Sequence, residues 1–427
     1  MRIITATRFW MPTGTLAALT VASLSACGGE QTGAVTQRVS EEPLSPSPSE
    51  APWSEGEGWS VASEPLLEIG VFSGAEEYQL MDVSAGARQA DGDIVLADAG
   101  SGTVRLYRAD GTFAALLGGS GGGPGEFRDP TQIVIDSSDG IAVWDDAAWR
   151  VTRFDPDGDF VGVQGFGMGD VAALTQPPFY PASGRLLADE ELLVRLVEKE
   201  VASKGGKSAS VSVEAGGRAR DGLLRIAADM SGAELVMELQ GEETVIVEAP
   251  WGPQPIAPPL ARRARIAVQP GVARFCAGDQ EEARVTCLDP EGRQVIINWV
   301  TDPLPVAEGD PEVQEWRTET EEIYVQKLGR GDVTRFLDLV PVPEFRPPYS
   351  ALILDTEGNL WVERGPVPGE GAIEFLLFDP SGLLRGPVLV PPVRILEIGD
   401  DYVLGVARDE MEVQYVQVLS LVKTVSR

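Results

Sequence analysis

Hydrophobic positions along the chain fall into short runs that recur with a matched spacing. Ile94-Val95-Leu96-Ala97 ends on Asp98, and Val104, Tyr107 and Gly111 follow that aspartate by six, nine and thirteen residues. Ile141-Ala142-Val143-Trp144 ends on Asp145, and the same offsets give Val151, Phe154 and Gly158, with Arg150 five residues on. A third copy starts at Asp279 and gives Arg284, Val285, Leu288 and Gly292. A further copy starts at Glu363, after Leu360-Trp361-Val362, with a hairpin six residues longer that brings Phe378 and Gly382 later. Apolar runs this short, bounded by turn residues, predict β-strands. Each copy reads as a strand, a four-residue turn, a second strand, and a glycine-bearing turn into a third. In such a hairpin the aspartate faces the residue five positions later, which predicts cross-strand ion pairs Asp145/Arg150 and Asp279/Arg284. In Asp155-Pro156-Asp157-Gly158, Asp289-Pro290-Glu291-Gly292 and Asp379-Pro380-Ser381-Gly382, proline presets φ and glycine supplies a positive one, as a tight turn requires.

Four short strands in roughly 40 to 50 residues are the sequence mark of a propeller blade, and the first two copies lie 47 residues apart. Hairpins fall near 94–117, 141–163, 186–240, 273–297, 352–390 and 395–422. The predicted fold is therefore all-β, a six-bladed β-propeller, with seven blades the main alternative. The last blade ends one strand short, and Leu66-Leu67-Glu68-Ile69-Gly70-Val71 is placed to supply that strand, close the ring and leave only short edges. Two segments stand outside the blades. Residues 198–222, with Lys199, Lys204, Lys207, Arg218 and Arg220, read as a long solvated excursion of blade 3, or alternatively as a partner-binding arm. Residues 311–328 read as a helix: Asp310 caps it, Pro311 opens it, Gly329 stops it, and Val313, Trp316 and Ile323 form its packing side on the propeller's rim.

The stretch Gly123-Pro124-Gly125-Glu126-Phe127-Arg128-Asp129-Pro130, running through Ile133-Val134-Ile135-Asp136 to Asp145, Arg150-Val151 and Phe154, resembles one NHL repeat. Adding Leu360-Trp361-Val362 and Asp400-Asp401-Tyr402-Val403-Leu404-Gly405-Val406, the chain resembles bacterial six-bladed propeller lipoproteins. The resemblance spans about Leu66 to Lys423. It is specific in blades 1, 2, 4 and 5 and thin in blade 3, where 186–239 lacks the repeated register.

The N-terminus carries Arg2 and Arg8, an apolar stretch from Phe9 to Leu24, and then Leu24-Ser25-Ala26-Cys27-Gly28. A positive start, a short apolar core and small residues before the cut mark a secretory signal over 1–26. Leu24 to Cys27 resembles a lipobox, which implies cleavage after Ala26 and acylation (palmitate or a similar chain) at Cys27; an ordinary cleaved signal with an incidental cysteine is the alternative. Acylation anchors a chain to a membrane without spanning it. Gly28 after the cysteine, rather than Asp, favours the outer membrane under enterobacterial sorting. Residues 27–64 are rich in Ser, Pro, Glu and Gly and read as a disordered tether with an end-to-end distance of roughly 35 Å. The propeller is expected over 65–423.

Composition narrows the chemistry. With 34 Lys plus Arg against 66 Asp plus Glu, the net charge is −32. That acidity repels phosphate backbones, so a nucleic-acid partner is not expected. The chain has no histidine, which removes Ser-His-Asp and Cys-His catalysis and every histidine-bearing metal site. Asp155 to Asp159 lacks the twelfth-position glutamate of a calcium loop. The glycine run 118–123 is followed by no Lys-Ser/Thr and reads as a connection between blades. A gluconolactonase-like channel metal needs asparagine, and only Asn298 and Asn359 are present. No catalytic residue, metal or cofactor is expected.

With Cys27 acylated, Cys276 and Cys287 are the remaining thiols. The register that opposes Asp279 and Arg284 also opposes these two, close enough for a disulfide; two buried free thiols are the alternative. The function expected is a monomeric binding or interaction module at the cell envelope, facing the periplasm or exterior, whose ligand is a protein or glycan. The alternative is a histidine-free, metal-assisted lyase or hydrolase in the channel. The two are separated by the innermost strands: three or more convergent acids or amides at the axis favour the enzyme, and apolar or mixed residues there favour binding on the rim.

Overall fold

The computed structural model describes residues 53, 58–175, 179–188, 191–198, 212–214, 216–249, 252–367 and 371–424. The signal segment, Cys27, most of the expected tether, and Lys199, Lys204 and Lys207 lie outside the described residues.

Both sides of the second strand in each blade are apolar, and the fold explains why. In blade 1, Val95 and Ala97 pack with Ile133, Ile141 and Val143 of blade 2. Ile94 and Leu96, on the opposite side of the same strand, pack with Leu404, Val406 and Val416 of the last blade. A sheet with a neighbour against each face reads as a continuous apolar run rather than an alternating one. Comparable cores join blades 2 and 3 through Trp144 and Val194, and blades 3 and 4 through Leu193 and Phe275. Val285 and Leu360 join blades 4 and 5, while Trp361 and Leu419 join blades 5 and 6. Six interfaces join six blades, so the ring is closed.

Each blade is a four-stranded antiparallel sheet. Blade 1 comprises Val83–Arg88, Ile94–Asp98, Thr103–Tyr107 and Phe113–Gly118; blade 2 comprises Pro130–Ile135, Ile141–Asp145, Arg150–Phe154 and Phe160–Gly165. Blade 3 comprises Phe179–Leu186, Leu192–Glu198, Arg218–Ile226 and Ala233–Glu243. Blade 4 follows with Arg265–Val268, Phe275–Gly278, Arg284–Leu288 and Gln294–Asn298, and blade 5 with Ala351–Leu354, Leu360–Val367, Ala372–Phe378 and Leu384–Val390. Blade 6 takes Arg394–Ile398, Tyr402–Arg408 and Gln414–Thr424 from the C-terminal end, and Gly58–Ile69 as its outer strand. That closing strand pairs from Gly58↔Thr424 to Ile69↔Val416, with irregularities around Pro65, where a missing N–H is tolerated. It begins earlier than expected, so residues 58–64 belong to the ring rather than to the tether. Trp53 also docks: its indole donates to the Pro387 carbonyl at 3.2 Å.

The glycine-bearing turns have the expected chemistry. Asp155 Oδ1 accepts from the backbone N–H of Asp157 and Asp159, and Gly158 takes φ +92°. Asp379 makes the same contacts to Ser381 and Leu383, and Asp289 to Arg293. The acids of these turns are thus occupied by their own backbone.

Helix α1 (Met168–Leu174) between blades 2 and 3, buried at Val171, has no counterpart in the sequence reading. Helix α2 spans Pro311–Leu328, capped by Asp310, whose side chain accepts from Glu312 N. Its packing side differs from the expectation: Val313 and Thr320 are buried, but Ile323 is 60% exposed. The reason is a second helix, α3 (Arg330–Leu339), which turns back at Gly329. Val333, Phe336 and Leu337 of α3 form a small core with Trp316 and Tyr324 of α2 and with Val245, Val247 and Ile256. The last three come from a three-stranded sheet of Ser212–Glu214, Val245–Ala249 and Gly252–Ile256. No helix among the described residues is long and apolar enough to cross a membrane.

Two expectations are corrected. Arg218 and Arg220 are not part of an excursion but lie in a blade 3 strand, where Glu281 and Glu198 neutralise them. Asp279 and Arg284 form no ion pair, because the adjacent Gln280 takes the buried place at the hairpin mouth: its Oε1 accepts from Arg263 N at 2.8 Å. The pair at the equivalent place in blade 2 is present, with Asp145 opposite Arg150 and 3.8 Å between charged atoms. Cys276 and Cys287 lie opposite one another in blade 4, both buried, with their sulfurs 1.99 Å apart.

Candidate functional site

The repeated aspartate is a scaffold residue. Asp98 accepts from the backbone N–H of Met81, Asp82 and Ser101; Asp145 accepts from those of Arg128, Asp129 and Ala148. Each ties the loop entering the first strand of its blade to the hairpin between the second and third. Arg150 extends this by donating to the carbonyls of Gly122 and Glu126, which fixes the glycine-rich connection. Such carboxylates are saturated with donors and are not free for chemistry.

The channel is lined by the first strands of the blades. Each first strand is innermost in its sheet. Glutamine amides lace several blades together: Gln132 Oε1 accepts from Leu186 N at 2.7 Å and its Nε2 donates to Leu186 O at 2.9 Å. Gln414 Oε1 accepts from Val83 N. On these strands Ile135, Ile266, Ile353 and Ile395 are half-buried against the cores between blades, and Arg265 is half-buried while Arg185 and Arg394 are exposed. The acids nearby sit towards blades 1 and 2. Burial raises the Asp129 carboxyl above its usual range, with the charges of Asp146, Asp145 and Asp82 adding to this and Arg185 opposing it. Among the described residues, no group of three or more Asp, Glu or Cys side chains is disposed to hold a metal ion.

The arginines converge at blades 3 and 4. A cavity of about 200 Å³ is lined by Ser183, Arg185, Leu193, Arg195, Arg265 and their neighbours. Ser183 and Arg185 are two apart on one strand and so share a face, and they pair with Arg195 and Leu193 on the next strand. Arg265 opens the first strand of blade 4. Arg195 is held by Asp221 at 2.6 Å. Arg185 donates to the carbonyl of its neighbour Gly184 and has no carboxylate within ion-pair distance among the described residues, and Arg265 has a buried Nε without an acceptor. Burial lowers the Arg265 guanidinium from its usual range, and the charge of Arg263 adds to this. The Arg185 side chain reaches an exposed position, within the field of the Asp146 and Asp129 carboxylates.

Arg265 also lines a second cavity, of about 410 Å³, beneath α2. Its walls include Arg263, Gln280, Ser350 and Arg364, with Glu315, Trp316 and Glu319 of the helix. Here Ser350 Oγ donates to Glu363 Oε1 at 2.7 Å, and burial raises the Glu363 carboxyl despite that bond. The sequence reading missed this site. Its one legible signal is Arg262-Arg263-Ala264-Arg265, three arginines in four residues of an acid-rich chain. The expected disulfide pair lies within blade 4, on the side that packs against blade 5.

No family model and no curated protein matches the chain. Among solved structures, a member of a domain-of-unknown-function family from Bacteroides vulgatus is 9% identical over 87% of this chain and 100% of that one, with a TM-score of 0.47. A candidate exported protein from Bacteroides fragilis is 12% identical over 89% and 98%, with a TM-score of 0.43. A gluconolactonase from Xanthomonas campestris is 11% identical over 87% and 98%, with a TM-score of 0.36.

Proposed function

We propose that this chain is an extracytoplasmic β-propeller lipoprotein, anchored through Cys27, that acts as a monomeric binding module with its ligand site among the arginines of blades 3 and 4. The observation that carries this reading is the kind of polar group gathered there. Guanidinium groups remain protonated at any physiological pH, so they neither abstract protons nor ligate metals, but they hold ligands through fixed, directional donors. Branched apolar side chains beside them suit a mixed binding surface better than a metal-assisted reaction. The positive start, the short apolar core and Leu24-Ser25-Ala26-Cys27 support export and anchoring.

The test is made on the full-length protein expressed in its host. Labelled palmitate should enter the wild type, which should partition into the detergent phase, and Cys27→Ala should abolish both. The purified protein should bind isolated envelope fractions saturably, in competition with unlabelled protein. Absence of saturable binding, or turnover of lactone or ester substrates on adding a divalent metal, would overturn the binding reading.

A further inference from the structure

We propose that the cavity between blades 3 and 4 binds a small oxyanionic group, the carboxylate or phosphate of a sugar-sized ligand, through Arg185 and Arg265. The inference rests on the reading of this region as a binding site and names the chemistry of its ligand.

Arginine pairing elsewhere in the molecule sets the contrast. Arg105, Arg150, Arg195, Arg218, Arg225 and Arg346 each have a carboxylate within 4 Å. In a chain with 66 acids and 34 bases, an enclosed arginine has many carboxylates to choose from. Arg265 and Arg185 have none within ion-pair distance among the described residues. Arg274 and Arg394 lack one too but donate across blades to the carbonyls of Pro380 and Val83, whereas the half-buried Arg265 keeps a buried Nε with no acceptor and Arg185 reaches an exposed position beside it. Leaving the part-buried Arg265 charge without a counter-charge is costly, and an external anion removes that cost. The guanidinium fork offers two parallel donors matched to a carboxylate or phosphate. Ser183 adds a hydroxyl donor, and the Arg195 guanidinium, though held by Asp221, adds positive charge to the same wall.

Size and surroundings narrow the ligand further. About 200 Å³ admits a charged group with a few carbons, whereas ligand sites usually span upward of about 300 Å³. The adjoining cavity of about 410 Å³ shares Arg265 and offers Gln280, Ser350 and the Trp316 indole, a set suited to hydroxyl groups and a sugar face. Glu315 and Glu319 of α2 line it together with Arg263, Arg346 and Arg364, so charges of both signs meet in the larger cavity. The smaller cavity is lined by three arginines and no acid, which makes it the place for the anionic end.

Isothermal titration of the full-length protein in detergent micelles, with galacturonate, inorganic phosphate and neutral galactose as probes, tests this. Galacturonate, phosphate or both should bind one to one while galactose binds far more weakly, and the stronger of the two anions identifies the group. Arg265→Ala and Arg185→Ala should each weaken that anion by about tenfold or more, with thermal melting confirming the fold. If Arg265→Ala melts early, Arg265→Gln keeps most of the side-chain packing and should show the same loss. The double variant E315Q/E319Q should tighten anion binding, because it removes the opposing charge. No anion binding by the wild type, or binding unchanged by Arg265→Ala and Arg265→Gln, overturns the proposal. If anions fail while saturable envelope binding persists, the anion site falls and the binding-module reading stands; if both fail, both fall.

Discussion

A single carboxylate at each hairpin mouth does the same work in neighbouring blades. Asp98 and Asp145 are almost wholly buried, and each satisfies three backbone donors that would otherwise be stranded. Sequence spacing revealed these residues because their neighbours are also fixed by the hairpin. It could not reveal that Gln280 replaces the aspartate in blade 4, since a glutamine one position on leaves no mark in the register. The same register does set Cys276 opposite Cys287. We expect these cysteines to form a disulfide in the exported protein, an oxidising setting in which such bonds persist. Intact mass after alkylation of the denatured protein should show no alkyl groups on this pair without reductant and two with it. Two groups gained without reductant would mean free thiols. The bridge closes a loop between residues only 11 apart, so its contribution is at most about 3 kcal/mol.

At the scale of the element, legibility followed burial. Strands covered on both faces, such as Ile94–Asp98 and Ile141–Asp145, advertise themselves as apolar runs bounded by turns. Helix α3 and the small sheet do not, because their core joins Val245 and Ile256 to Phe336 across some 80 residues of chain, and no local period announces such a partnership. The anion-facing arginines were hidden for a related reason: Arg185 lies in blade 3, where the repeat register is absent. The glycine turns were legible, and they make a graded prediction. Gly158 has φ +92°, and a Cβ there would approach Leu117 Cδ2 of blade 1 to 2.4 Å, whereas Gly292 has φ +78° with nothing within 4 Å. Gly292→Ala should therefore cost only the strain of a positive φ, about 1–3 kcal/mol. Gly158→Ala should cost more, because it also forces two blades apart. Chemical denaturation of the two variants checks the order, and equal losses would mean that Leu117 simply moves aside.

For the whole molecule, the decisive contact is the one between its ends. Gly58–Ile69 completes blade 6 against Gln414–Thr424. Ile69 is 1% exposed in the core between blades 6 and 1. Trp59 stacks near Trp361 at 5.8 Å between centroids, and Trp53 lies 6.5 Å from Trp59. Burial of large apolar side chains of this kind contributes about 1.5–3 kcal/mol each, and removing the strand also exposes the edge of Gln414–Thr424 to pairing with other chains. Deleting residues 28–52 should therefore leave the melting temperature nearly unchanged. Deleting 28–71 should lower it sharply and promote association, because the ring then ends one strand short. The docked indole of Trp53 sets the boundary between these outcomes, so a deletion of 28–57 should fall between them. Scanning calorimetry of the three truncations, with light scattering to detect association, would measure the series. Equal melting temperatures for the shortest and longest deletions would show that the blade holds without its N-terminal strand, and the ring would then owe its closure to the C-terminal three strands alone.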